Sequence, residues 1–309
     1  MRHFDAQQVR AALPFPVVIE ALRAMFASGC EVPLRHTHQA PGFTSLIMPA
    51  WTARHYGVKV INIAPGNAAR GLPGLHASYL LHDAATGVPL ALLDGDEITA
   101  RRTVGASALA ASYLARADAS HLLVVGAGRL ARWLPAAFTA VRPITRVTVW
   151  ARAPQQAQAL VAQLQADGFD ATAASDLAAA CASADIVSCA TLATAPVVQG
   201  AWLRPGSHLD LIGSFAPAMR ETDDACFAGA SLFVDTPEAL QKSGDLLGPM
   251  ARGVFSAADV CGTLQDLVRG KRAGRRTAQQ RTVFKAVGTA LEDLAAAVAV
   301  VQAQASSAA

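Results

Sequence analysis

The chain has 309 residues, of which 52% are hydrophobic and 16% charged, with a formal net charge of +3. That length accommodates one or two domains with a sizeable core, and the apolar balance excludes disorder for most of the chain. No apolar run approaches the roughly 18 residues that span a bilayer, and residues 1–8 lack the apolar stretch of a secretory signal, so we expect a soluble, cytoplasmic protein with no membrane partner.

Residues 5–28 predict two helices, the first capped by Asp5 and the second opened by Pro14 and Pro16. Val17, Val18, Ala21, Leu22, Met25 and Phe26 form the second helix's apolar stripe, and Gly29 ends it. Residues 32–38 are polar and β-like. Strands are predicted at 44–48, 56–63, 77–83 and 88–94, the last two joined by a hairpin turn at 84–87. The glycine- and proline-rich loop 65–74 is expected to be mobile or to face a ligand. A long helix follows over 96–116, and these elements make an N-terminal α+β unit.

The next stretch, His121-Leu-Leu-Val-Val-Gly-Ala-Gly-Arg-Leu-Ala131, reads as buried strand, glycine turn and helix from Arg129 onward. This is the entry to a dinucleotide fold. Gly126, Ala127 and Gly128 force a tight turn. Gly126 permits it, Gly128 lets backbone approach a pyrophosphate, and Ala131 stands in the third glycine position. Helical N–H groups would then face the phosphates. Strands at 146–150, 170–173, 185–190, 208–212 and 232–235 alternate with helices at 154–167 and 177–182, which implies a parallel, doubly wound Rossmann sheet. A last long helix is predicted over 277–301, with Phe284, Val287, Leu291, Leu294, Val298 and Val301 as an apolar seam. It should pack on a helix of this chain or of a partner, and residues 302–309 should fray. The fold class is therefore α/β, with a Rossmann domain at 117–276 and a second α+β domain for substrate and dimerisation at 1–116 with 277–309.

Strand two of the Rossmann unit ends Trp150-Ala151-Arg152-Ala153-Pro154, without the acid that holds ribose hydroxyls in NAD sites. A guanidinium at Arg152 suits a 2′-phosphate, so NADP(H) is favoured over NAD(H), and Arg129 adds positive charge nearby. The basic block 271–276 has no aromatic or helical reading motif beside it and reads as a solvated loop, so no nucleic-acid partner is expected. Cys30, Cys181, Cys189, Cys226 and Cys261 show no metal spacing and read as reduced; no metal is expected. His36, His38, His55, His76 and His82 are scattered, and His76, in the glycine-rich stretch, is the one placed to touch a ligand.

Several segments together resemble the ornithine cyclodeaminase/μ-crystallin family: Val32-Pro33-Leu34-Arg35, the strand carrying Lys59, the run 94–103 ending Ala-Arg-Arg-Thr, and Gly126-Ala127-Gly128. Ala184-Asp-Ile-Val-Ser-Cys-Ala-Thr191, Ile212-Gly213-Ser214 and Lys242-Ser243-Gly244-Asp245 continue the match in order. The resemblance, closest to the ketimine reductase and Δ1-pyrroline-2-carboxylate reductase branch, implies a Rossmann domain plus a dimerising substrate domain, and a homodimer. By resemblance, Arg35 and Arg102 bind the substrate carboxylate, Lys59 stands beside the reacting centre, and Thr191, Ile212 and Gly213 edge the nicotinamide site. The turn Gly126, Ala127, Gly128, Arg129 and Leu130, and the strand end with Ala151 and Arg152, complete the cofactor set.

The residues agree with these roles in part. Lys59 shares a strand face with Ile61 and Ile63 by period two, where a lysine is either at a solvated edge or held for chemistry; burial would lower its pKa. Arg101 and Arg102 point about 100° apart on a helix, so one of them faces the substrate. Where the family's cyclodeaminase and alanine dehydrogenase place an aspartate after Ile-Gly, this chain has Phe215, and Asp210 is too far along the strand to substitute. The expected activity is NAD(P)H-dependent reduction of small α-imino acids to amino acids. The alternatives are an ornithine cyclodeaminase releasing proline and ammonia, and a non-catalytic NADPH-binding protein.

Overall fold

The computed structural model describes residues 1–306. The chain forms two compact units, Met1–Gly105 with the described residues from Thr289 onward, and Ala106–Gly288. The expected boundaries, 116/117 and 276/277, thus move to 105/106 and 288/289.

Unit 1 begins with β1 (Arg2–Phe4), α1 (Ala6–Ala12), α2 (Phe15–Ser28), β2 (His36–Ala40), β3 (Phe43–Trp51), β4 (His55–Ile63), β5 (Leu75–Asp83), β6 (Pro89–Asp94) and the first half of α3 (Gly95–Leu114). Asp5 caps α1 in a reciprocal box with Gln8, which satisfies two backbone donors that the helix cannot. The loop 65–74 carries a 3₁₀ turn, Pro65–Arg70. The six strands order as β1-β6-β5-β4-β3-β2, antiparallel except for β1 against β6. Alternation then decides two faces. Met48 and Ala50 of β3, Lys59 and Ile61 of β4, and Tyr79 and Leu81 of β5 are buried on one side. Trp51, Tyr56 and Val60 stand exposed on the other.

Unit 2 comprises β7 (His121–Val125), α4 (Leu134–Thr139), β8 (Arg146–Trp150), α5 (Pro154–Ala166), β9 (Ala171–Ala173), α6 (Leu177–Ser183), β10 (Ile186–Cys189), β11 (His208–Leu211), β12 (Ser231–Val234), α7 (Ala239–Lys242), α8 (Gly244–Ala251), β13 (Gly262–Thr263), α9 (Leu264–Val268) and β14 (Thr282–Lys285). Its sheet is parallel throughout, in the order β13-β12-β14-β11-β10-β7-β8-β9. Strands β7, β10 and β11 are buried along their whole length, as a sheet covered on both faces requires.

The last helix, α10 (Ala290–Ser306), returns to unit 1 and packs on α1, α2 and strands β3 to β5. Two expectations change here. Residues 282–285, read as the start of that helix, are a strand, and Gly288 at φ +78° turns the chain before α10 begins. Residues 302–306, expected to fray, continue the helix, while 307–309 lie outside the described residues. The helix's apolar seam is absorbed within this chain. The basic block 271–276 is a loop, in which Arg275 donates to the carbonyls of Leu114 and Ser207.

Candidate active site

In an open parallel sheet, ligands bind outside the carboxyl ends of the strands where the order reverses. Here that point lies between β7 and β10. The turn after β7 is tight: Gly126 has φ +114°, and a Cβ there would sit 2.8 Å from the Ala190 carbonyl oxygen at the end of β10. Gly128, by contrast, has no atom within 4 Å of where a Cβ would stand. That open backbone is what a pyrophosphate needs. Ala127, between the two glycines, is half-buried and belongs to no helix or strand. Its methyl group has no polar atom, so what it can offer a phosphate is its main-chain N–H. Leu130 is also half-buried and Arg129 is exposed. Ala131, in the third position, is fully buried, so helix and strand pack closely. Regular helix does not start at Arg129 as expected. A 3₁₀ turn, Ala131–Trp133, precedes α4. Pro135 has no N–H to donate to Ala131, so the α-helical ladder cannot begin upstream of it.

Strands β8, β7, β10 and β11 are consecutive neighbours. Their carboxyl ends therefore set Ala151 and Arg152, the turn Gly126, Ala127, Gly128, Arg129 and Leu130, then Thr191, and Ile212 with Gly213 along one edge. Ala151 is buried and Arg152 exposed, and α5 has no acid in its first turn. Every expected cofactor residue thus lies on the edge where the fold receives nucleotides.

The second group of residues belongs to unit 1. Lys59 has zero exposure, and its Nζ donates to Asp293 Oδ1 at 2.6 Å. Arg102 donates from Nε to the same oxygen at 2.9 Å and from Nη1 to Glu292 Oε2 at 2.7 Å. Burial, then the neighbouring Arg102, depress Lys59 to about 8, against the pull of Asp293 and Glu292. Burial alone would raise the Asp293 carboxyl, but Arg102 and Lys59 hold it below the usual carboxylate range. A lysine with a pKa near 8 exchanges protons readily at working pH. Arg101 is taken up elsewhere: its Nε bonds Glu97 at 3.0 Å and its guanidinium lies 4.8 Å from the Phe15 ring. Of the adjacent arginines, Arg102 is the one beside Lys59.

Arg35 is half-buried just ahead of β2. His76 is not brought to this group. It pairs with Asn62 in the register, one step out of phase with the buried face, is 55% exposed, and lies 4.0 Å from Asp96. Sequence reasoning does not find Asp293 and Glu292. The available signal is two adjacent acids in the first turn of an alanine-rich helix that carries no cation.

The all-parallel sheet, with a glycine turn at its switch point and an acid-free second strand end, defines a nucleotide-binding α/β protein of the Rossmann class. The model of the ornithine cyclodeaminase/mu-crystallin family matches residues 19–308, and the chain belongs to that family. It is 48% identical over 257 residues to a Δ1-pyrroline-2-carboxylate reductase of Paracoccus denitrificans, covering 82% of this chain and 81% of that one. Among solved structures it resembles the Δ1-pyrroline-2-carboxylate reductase of Thermococcus litoralis in complex with NADH and L-proline, with a TM-score of 0.95, 32% identity, and coverage of 100% and 98% of the two chains. An archaeal alanine dehydrogenase dimer with bound NAD gives a TM-score of 0.93 at 26% identity, covering 100% of this chain and 97% of that one.

Proposed function

We propose that this protein reduces small α-imino acids, ketimines such as Δ1-pyrroline-2-carboxylate, to amino acids with a pyridine nucleotide, and that NADPH is preferred over NADH. The observation that carries the reading is the fully buried Lys59, on an otherwise apolar strand face, sharing the Asp293 carboxylate with Arg102 of α3. Nucleotide binding alone calls for no such pair, whereas an imino acid offers it a carboxylate and an imine nitrogen.

The turn 126–130 cradles the pyrophosphate, Arg152 takes the 2′-phosphate, and Thr191, Ile212 and Gly213 border the nicotinamide. The nicotinamide supplies a hydride when bound. Arg35 and Arg102 hold the substrate carboxylate, for which a guanidinium offers paired donors. Lys59, protonated, donates to the imine nitrogen and leaves its carbon electron-poor. His76 has no part in this scheme.

Ornithine cyclodeamination fits less well. The place of the family's aspartate is held by Phe215, and Asp210 is fully buried in mid-sheet, where it accepts from Ser188 Oγ. We further propose a homodimer formed through the exposed face of the unit 1 sheet, and a cytoplasmic setting, in keeping with five free cysteines.

The test is nucleotide oxidation followed with pyrroline, piperideine and linear imino carboxylates, NADPH against NADH. We expect turnover of the cyclic imino acids and a lower KM for NADPH. Ammonia release from ornithine in their place would overturn the reading in favour of cyclodeamination; tight NADPH binding without turnover would leave a binding protein.

A further inference from the structure

Below the nucleotide edge of unit 2 lies a cluster of charges that no step above uses. Glu221, Asp245, Asp235 and Lys285 are each at most 1% exposed. Glu221 is at the centre. Its Oε1 accepts from the Thr191 N–H at 2.7 Å and from Thr191 Oγ1 at 2.9 Å. Its Oε2 accepts from the N–H groups of Gly213 at 2.8 Å and Ser214 at 3.2 Å. One carboxylate thus ties the chain leaving β10 to the chain leaving β11. Gly213 must be glycine for this: a Cβ there would meet the Thr191 carbonyl oxygen at 2.1 Å and Glu221 Oε1 at 2.3 Å.

The carboxylate is itself held from below. Asp245 Oδ1 accepts from the main-chain N–H of Glu221 at 2.8 Å and of Thr222 at 3.1 Å, which fixes the Glu221 backbone. Lys285 Nζ lies 3.6 Å from Asp245 and 4.0 Å from Glu221 as a shared counter-charge. Asp235 accepts from the N–H groups of Val287 and Gly288, and so anchors the chain just beyond Lys285. Burial pushes Glu221 up to about 7, with Lys285 opposing it and Asp245 adding to it.

We propose that Glu221 is a positioning residue that sets the separation of the Thr191 and Gly213 segments, and through them the seat of the nicotinamide half of the dinucleotide. The proposal rests on the pyridine-nucleotide reading above. Four donors converge on Glu221, and the segments that donate them are the ones assigned to the nicotinamide border. On the same reading the adenosine half would lie along β8 and the turn after β7, to which none of these four Glu221 hydrogen bonds runs.

Glu221→Gln keeps size and shape but not donor–acceptor balance. Whichever way the amide turns, its NH₂ faces donors, either those of Thr191 or those of Gly213 and Ser214. The experiment measures Kd for NADPH and for 2′-phospho-ADP-ribose, which lacks the nicotinamide, on the wild type and on two variants. Glu221→Gln should weaken NADPH about tenfold, the scale of one lost charge-assisted hydrogen bond, and leave 2′-phospho-ADP-ribose within about twofold. Thr191→Val, which removes one hydroxyl donor and retains the backbone, should give the same selective loss, smaller in size, and keeps the test open if the Gln variant does not fold. Equal weakening of both ligands, or no weakening of either, overturns the proposal. Failure of the wild type to bind either nucleotide overturns the functional reading instead.

Discussion

An ammonium group with no solvent survives only where neighbouring charge replaces water, and for Lys59 that replacement is Asp293. The carboxylate is shared with Arg102, so two cations and two acids, Asp293 and Glu292, close the account of charge. Asp293 favours the protonated lysine; burial and Arg102 oppose it. With a folded pKa of about 8, a Lys59 that donates a proton loses activity as pH rises through that value. Asp293→Asn removes the negative charge, lowers the lysine further, and should move the alkaline limb of kcat/KM to lower pH. It also leaves a buried cation short of a partner, at a cost of about 3 to 5 kcal/mol. Both outcomes are measurable, by pH–rate profiles and by denaturant unfolding; an unmoved limb would remove Lys59 from proton transfer. Lys59 is legible in the sequence because a lysine on an apolar strand face is conspicuous. Asp293 is not, because its partner stands 234 residues away and no local pattern links them.

At the scale of elements, local chemistry decides most of the starts and stops. The Asp5 box, the strand pairing over 75–94 and the glycine turn all follow from nearest-neighbour rules. The misplaced helix start has a different cause. Residues 282–285 are buried on both faces of the sheet, so they show no alternation by which to tell a strand from a helix. Phe284 and Val287 happen to continue the phase of the helix beyond, and only Gly288 marks the break. The turn after β7 is where element geometry and function meet. Gly126→Ala would place a side chain at φ +114° and against the Ala190 carbonyl oxygen. Strain of about 1 to 3 kcal/mol is expected, together with a loss of nucleotide affinity of more than about tenfold, since a shift of the turn moves the backbone of Ala127 and Gly128 that we propose as the pyrophosphate cradle. Calorimetric titration with NADPH, paired with thermal unfolding, checks both.

For the molecule as a whole, the exposed side of the unit 1 sheet is the surface that its own helices leave uncovered. Trp51 and Tyr56 are cross-strand partners whose rings lie 6.1 Å apart, and His82 adds a third ring 5.7 Å from Tyr56. These aromatic groups stand at the β3–β4 turn end of the face, and exposed aromatic side chains are where association energy concentrates. Tyr56→Glu should shift the proposed dimer toward monomer in light scattering, with little effect on the unfolding of the monomer; a mass unchanged at low micromolar concentration would overturn this face as a dimer contact. The sequence shows the apolar seam of α10 but not whose surface it meets, since a helix buried by its own chain and one buried by a partner carry the same pattern.

Strand β14 sits between β11 and β12 although it follows both in the chain. During synthesis, then, β11 and β12 wait with a vacant lane between them until residue 285 has left the ribosome. The other unit waits equally for α10, the last of the described elements. Neither half can finish early and shelter the other. The nascent protein must therefore carry bare strand edges at least until β14 has emerged, the condition under which slow, long-range pairing invites aggregation.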